Sequence, residues 1–170
     1  MKRRLCILCC VVLTLAMLSC AAAEAGELPT ATALKAYLPT VDWEDYTARD
    51  TDGDGFDDEI MISYGSGGRT DSDTIDVYAQ CMDGAVRVFC VLARVPADAD
   101  PLKVYEQVNE FNDNLNYGRW AYDEAQGYVY YAQEVYAAED VDVSPYVHLY
   151  MESAASYVYS FHERFVTAIQ

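Results

Sequence analysis

Thr74-Ile-Asp-Val-Tyr-Ala-Gln-Cys-Met82, Asp83-Gly84 and Ala85-Val-Arg-Val-Phe-Cys-Val-Leu-Ala93 make up the stretch whose reading decides the fold. Apolar and polar residues alternate on both sides of an Asp-Gly pair, the signature of a two-residue turn between antiparallel strands. Alternation sets Ile75, Val77, Ala79 and Cys81 on one face with Val86, Val88, Cys90 and Leu92. Asp76, Tyr78, Gln80, Arg87 and Phe89 fall on the other face, so the pair is half-buried. With Asp83 and Gly84 as the turn, Cys81 stands opposite Val86 and Val77 opposite Cys90. Both thiols then face the core, but about 13 Å apart along the ladder at ~3.3 Å per residue, twice the reach of a disulfide. Unless the register slips or the thiols pair between molecules, two buried free thiols are expected.

Upstream, Pro29 and Pro39 bracket a short helix over Thr30–Leu38. Trp43–Arg49 and Ile60–Tyr64 read as strands around an Asp/Gly loop, and Gly65–Asp73 reads as a flexible turn region. Downstream, Asp100 caps and Pro101 opens a helix to about Asn114, with Val104, Val108, Phe111 and Leu115 on one stripe. Tyr117–Tyr122 and Gly127–Tyr136 form a second hairpin. Ser144 as N-cap and Pro145 then start a helix running to the C-terminus, with a stripe of Val147, Tyr150, Ala154, Tyr157/Val158, Phe161, Phe165 and Ile169. The order α-β-β-β-β-α-β-β-α describes one α+β domain over residues 26–170, a mostly antiparallel sheet packed by helices.

The chain has 170 residues, with 11 Lys and Arg against 28 Asp and Glu. That balance excludes nucleic acid and disfavours an anionic membrane surface, both of which need clustered positive charge. Residues 1–25 read as a signal peptide: basic Lys2-Arg3-Arg4, an apolar run from Leu5 to Leu18, then small residues. Two cleavage readings fit. Ala23-Glu24-Ala25 matches the A-x-A pattern, whereas Met17-Leu18-Ser19-Cys20 resembles a lipoprotein signal in which Cys20 is lipidated. Four of the six cysteines belong to this segment, which removes a disulfide scaffold from the body. A secreted or cell-envelope location follows, with no membrane insertion beyond a lipid anchor.

Asp50-Thr-Asp52-Gly-Asp54-Gly55-Phe56-Asp57-Asp58 is the sharpest chemical signal. Calcium takes six to eight oxygens at ~2.4 Å, and alternating carboxylates in a tight loop supply them. Asp50, Asp52 and Asp54 would offer side chains, Phe56 its backbone carbonyl and Asp58 a further carboxylate. Met61 stands where an EF-hand has its twelfth ligand, and the flanks read as strands. The pattern resembles the strand-loop-strand calcium sites of integrin-type propeller repeats, and one structural calcium ion is expected.

Val108-Asn109-Glu110-Phe111-Asn112 followed by Gly118-Arg119, within this order of elements from Leu34 to Phe165, resembles the YbjN-like family. Asn109, Phe111, Asn112, Gly118 and Arg119 carry the resemblance. Members are described as bacterial sensory-transduction regulators, with a fold similar to type III secretion chaperones, which are dimers that bind an extended client. The resemblance implies a non-enzymatic domain that binds a protein or peptide, and a homodimer. By their own chemistry, Asn109 and Asn112 near a helix end can satisfy free carbonyls or turn the chain. Gly118 suits a tight strand entry, with Arg119 paired to a nearby carboxylate.

No catalytic set emerges from spacing. His148 and His162 share the last helix and read as surface or core-edge residues, and Ser66 lacks the frame of a nucleophile elbow. The 15 tyrosines are the remaining signal. Those left exposed from the second hairpin and last helix would form a protein-binding surface. Two other readings stay open: a calcium-dependent extracellular enzyme with its site in a Tyr-rich groove, and a structural surface lipoprotein.

Overall fold

The computed structural model describes residues 26–138 and 141–170. The signal segment, its four cysteines and the lipidation candidate Cys20 lie outside the described residues. Helix α1 spans Pro29–Tyr37 and runs into a single 3₁₀ turn, Leu38–Val41. Strands follow at Thr47–Arg49 (β1), Glu59–Gly65 (β2), Thr74–Met82 (β3) and Ala85–Arg94 (β4). Helix α2 (Pro101–Asn112), strands β5 (Arg119–Asp123) and β6 (Tyr128–Tyr136), and helix α3 (Ser144–Ile169) complete the chain.

The strands form one sheet in the order β1-β2-β3-β4-β6-β5, and every neighbouring pair is antiparallel. The β3–β4 register is the expected one, with Cys81 opposite Val86 and Val77 opposite Cys90. Both cysteines are free and buried. Ile60, Ile62, Val77, Ala79, Val88, Cys90, Trp120, Val129 and Tyr131 give the sheet one apolar face. Against it pack Ala31 and Leu34 of α1, Val104, Val108 and Phe111 of α2, and Val147, Met151, Ala154, Val158 and Phe165 of α3. Among the described residues, no helix packs on the other face of the sheet. A β-bulge at Val91/Ala93, where β4 meets β6, turns both Leu92 and Ala93 inward.

Several local readings change. β1 begins at Thr47 rather than Trp43. Asp42 sits in the left-handed region (φ 63°), and the Trp43 ring turns onto Tyr64 at 5.3 Å and His148 at 4.3 Å instead of following β2. α2 stops at Asn112, and the N-cap of α3 is Val143 rather than Ser144, with the Asp142 carboxylate accepting the Ser144 N–H at 2.9 Å. Ser144 is itself helical and buried. The buried stripe of α3 is rotated so that Met151 and His162 lie inside, with Tyr150 and Tyr157 at its flanks. Finally, Gly65–Asp73 is pinned rather than loose: Ser66 is fully buried, and the Arg69 guanidinium lies 4.3 Å from the centre of the Tyr159 ring.

Candidate functional site

The aspartate loop follows β1 and precedes β2, the position its sequence gave it. Asp50, Asp52 and Asp54 converge, each offering an oxygen within 4.8 Å of the others. Gly53 and Gly55 adopt φ of 82° and 95°, which lets the backbone fold tightly under the carboxylates. Asp50 accepts the N–H groups of Gly53 (2.7 Å) and Gly55 (2.9 Å), and these bonds hold its carboxyl below the usual carboxylate range. Asp54 accepts the Phe56 N–H at 2.8 Å, and Asp52 accepts the Asp54 N–H at 3.1 Å. Asp58 stands apart from the trio and binds Thr51 through its N–H (2.7 Å) and hydroxyl (2.5 Å), closing the base of the loop. The Phe56 ring projects to the surface.

The residues of the Asn-rich motif fall on α2 and at the start of β5, and they do not converge on one point. Phe111 is wholly buried, tilted on Phe161 at 4.6 Å. Asn112 binds both backbone groups of Trp120 on β5. Asn109 is exposed, and its carbonyl accepts the Asp113 N–H at 3.0 Å. Gly118 has φ 70° beside the Tyr131 ring, the tight entry its type suggested. Arg119 forms no ion pair among the described residues. The carboxylate it faces, Glu134, is taken by Arg87 at 2.7 Å and receives the Tyr136 hydroxyl at 2.9 Å.

The tyrosines divide. Tyr131 is core; its hydroxyl donates to the Tyr117 carbonyl at 3.2 Å, and burial raises its pKa. Tyr117 (61% exposed) and Tyr146 (57%) are mostly exposed, as is Leu149 (53%). Tyr117 lies 6.1 Å from Tyr150, which shares the outer side of α3 with Tyr146 and Leu149 at helical spacing. These four residues make one apolar-aromatic patch.

The structure also brings together groups that spacing left apart. His162, on α3, comes within 3.7 Å of the Asp71 carboxylate from the β2–β3 loop, at a cleft of about 420 Å³. Ninety-one positions separate them, so no local pattern announces the pair. His148 sits between Tyr37 and Trp43, 3.7 Å from Glu152. Beside Trp43, the larger cleft of about 520 Å³ is bordered by Asp42, Glu44, Asp45 and Tyr64. No described helix is long and apolar enough to cross a membrane.

No family model matches the chain, and no curated protein matches it either. Solved structures do. A chain of the HopA1-SchA chaperone-effector complex superposes with a TM-score of 0.52 at 13% identity, over 78% of this protein and 91% of that chain. A chain of the ExsC-ExsE complex does so with a TM-score of 0.51 at 12% identity, over 80% and 95% respectively. The α+β fold, with a six-stranded antiparallel sheet and three α-helices among the described residues, is therefore chaperone-like.

Proposed function

We propose that the protein is an exported, non-enzymatic protein-binding domain of the bacterial envelope, related to the YbjN-like regulators, with one structural calcium ion in its aspartate loop. The observation that carries the binding reading is the exposure of Tyr117, Tyr146 and Leu149 around the half-buried Tyr150 on the helical side of the molecule. Aromatic rings give large contact area for little conformational cost, which is why they anchor interfaces. The likeness to a chain of a chaperone-effector complex supports the same reading through the fold. The basic start and apolar run of residues 1–25 support export, and Cys20 supports a lipid anchor.

Asp50, Asp52 and Asp54 would hold the cation, joined by the Phe56 carbonyl and Asp58. The chemistry of the donor set fits, since three hard carboxylates converge on a loop that glycines keep tight. A bound calcium would offset their mutual repulsion and order the connection between β1 and β2.

Affinity capture from envelope extracts, with calcium and with chelator, tests the binding reading. The chain from Gly26 is expected to enrich a protein that the Tyr117→Ser/Tyr146→Ser variant does not. Absence of any enriched protein, or equal recovery by the folded variant, removes the reading.

A further inference from the structure

The cleft beside Trp43 arises from a mismatch in strand length. β1 pairs only with Glu59–Met61, so β2 runs on through Ile62 and Tyr64 with no strand on that side among the described residues. The chain ahead of β1 turns through Asp42 in the left-handed region, and a space of about 520 Å³ opens beside it. That volume suits a small molecule. Asp42, Glu44 and Asp45 border the cleft and are exposed, Trp43 and Tyr64 are half-buried against it, and none of its described lining residues is basic.

Two polar atoms under the Trp43 ring have nothing to bind. The Tyr64 hydroxyl oxygen and His148 Nε2 are both buried and find no hydrogen-bond partner among the described residues. Trp43 stands edge-to-face against both rings, at 5.3 Å from Tyr64 and 4.3 Å from His148. A Glu152 carboxylate oxygen lies 3.7 Å from His148 Nε2, beyond hydrogen-bond length. Burial first, and then the Glu152 charge, raise the Tyr64 pKa, so a protonated hydroxyl stands near that carboxylate. Buried polar atoms are seldom left unpaired, and each one that is costs stability until something binds it.

These features narrow the ligand class. The acidic border, on a chain with a formal net charge of −17, repels anions and draws cations. A bare metal ion is poorly served, because among the described residues only Asp50, Asp52 and Asp54 bring three such ligand atoms within 4.8 Å of one another. A purely apolar ligand would leave both orphan atoms unpaired. A primary ammonium has three donors and no acceptor. The Tyr64 oxygen, His148 Nε2 in the tautomer protonated on Nδ1, and a Glu152 oxygen are three acceptors for it. Aromatic rings attract a cation and also accept the apolar stem that carries it.

We infer that this cleft is a binding site for a primary alkylammonium group, carried by a free amine or by a lysine side chain. The Trp43 ring turns aside, the ammonium reaches Tyr64, His148 and Glu152, and the alkyl stem lies along the indole. Asp42, Glu44 and Asp45 hold any second positive charge at the border. The site goes beyond the binding reading above and shares no residue with the tyrosine patch or the aspartate loop.

The chain has two tryptophans, and the other, Trp120, is buried, so fluorescence titration of the chain from Gly26 reads this cleft through Trp43. With n-butylammonium as probe, a saturable change with a dissociation constant of about 1 mM is expected, and none in Trp43→Phe. 1-Pentanol, of similar shape but uncharged, is expected not to saturate. Tetramethylammonium, a cation without N–H donors, is expected to bind about tenfold more weakly. Glu152→Gln is expected to weaken n-butylammonium by about tenfold, and so is Glu44→Gln/Asp45→Asn, which changes only exposed side chains and decides the matter if Glu152→Gln fails to fold. Asp52→Ala/Asp54→Ala and Tyr117→Ser/Tyr146→Ser are expected to leave the affinity unchanged. A Gly-Lys-Gly peptide blocked at both ends and 1,5-diaminopentane separate the two sources: tighter binding of the peptide assigns the site to a lysine side chain, tighter binding of the diamine to a free amine. No saturable change up to about 50 mM, or an equal response to 1-pentanol or tetramethylammonium, overturns the inference. So does an affinity unchanged in both carboxylate variants, or one lost in Asp52→Ala/Asp54→Ala.

Discussion

The Asn112 side chain acts as a strand partner for Trp120: its Nδ2 donates to the Trp120 carbonyl at 3.0 Å, and its Oδ1 accepts the Trp120 N–H at 2.7 Å. Among the described residues β5 is the last strand of the sheet, and no strand pairs with the backbone groups on its outer side. One carboxamide at the end of α2 satisfies both at Trp120 and ties helix to sheet above the buried indole. Asn112→Ala removes two bonds and leaves two backbone groups short of partners, at a cost of about 2–3 kcal/mol. Asn112→Asp keeps the acceptor and loses the donor, so it is expected to fall between. Urea unfolding should show a lower midpoint with an unchanged slope. Amide exchange should accelerate at Trp120 first.

Gly118 prepares that strand. Its φ of 70° is one that side chains rarely adopt, and an added Cβ would lie 2.3 Å from the Tyr131 hydroxyl oxygen and 2.4 Å from the ring carbon bearing it. Tyr131, on β6 opposite Trp120, is buried and cannot move aside without opening the core. Gly118→Ala is therefore expected to combine backbone strain with overpacking, about 2–4 kcal/mol in all. Gly84→Ala is a control, with φ 68° and nothing within 4 Å of the added carbon. Thermal unfolding should show the larger loss at Gly118.

Local signals explain which parts were legible. The β3–β4 register follows from alternation plus one Asp-Gly turn, both contained within twenty residues, and it fixed the fate of both thiols. The aspartate loop was legible because its ligands are close in sequence. Trp43 misled because an aromatic residue before a strand looks like strand, while its partners Tyr64 and His148 come from elements far along the chain. Asn112 was marked as a residue near a helix end, yet its partner belongs to the next strand. His162 escaped for a similar reason: a histidine on a helix gives no sign of its rotation, and small shifts of the stripe decide between rim and core.

The two thiols set an alkaline limit. Burial pushes the Cys81 thiol up to about 11 and raises the Cys90 thiol as well. In the unfolded chain both ionise near ~8.5. Above that value the native state binds more protons than the unfolded state, so stability falls as pH rises, by up to about 1.4 kcal/mol per pH unit for each thiol. The contribution is complete below ~8.5 and is lost progressively toward the folded-state values. Denaturant midpoints of the chain from Gly26 should stay flat across neutral pH and drop above about pH 8.5. Cys81→Ala/Cys90→Ala should lower stability at neutral pH but remove most of the slope beginning there. Thiol reagents should label neither cysteine in the native protein at pH 8 and both in denaturant.

Calcium provides a separate test of the loop. Asp50, Asp52 and Asp54 lie close enough to repel one another, and much of their hydrogen-bonding capacity is spent on the loop's own N–H groups. A cation held there is expected to stabilise the folded chain through mass action. At 2 mM calcium and a dissociation constant of about 0.1 mM, the gain is about 1.8 kcal/mol. For a domain of this size that corresponds to a rise in Tm of roughly 4–7 °C. Calorimetric titration should give one site. Asp52→Ala/Asp54→Ala should abolish both the heat and the shift in Tm while leaving the calcium-free Tm unchanged or slightly raised, because two like charges are gone. Asp58→Asn gives a second measure. Asp58 binds Thr51 in this structure, so a modest fall in affinity identifies it as a supporting residue, while complete loss identifies it as a ligand. An unchanged titration in the Asp52/Asp54 variant eliminates the loop as the calcium site.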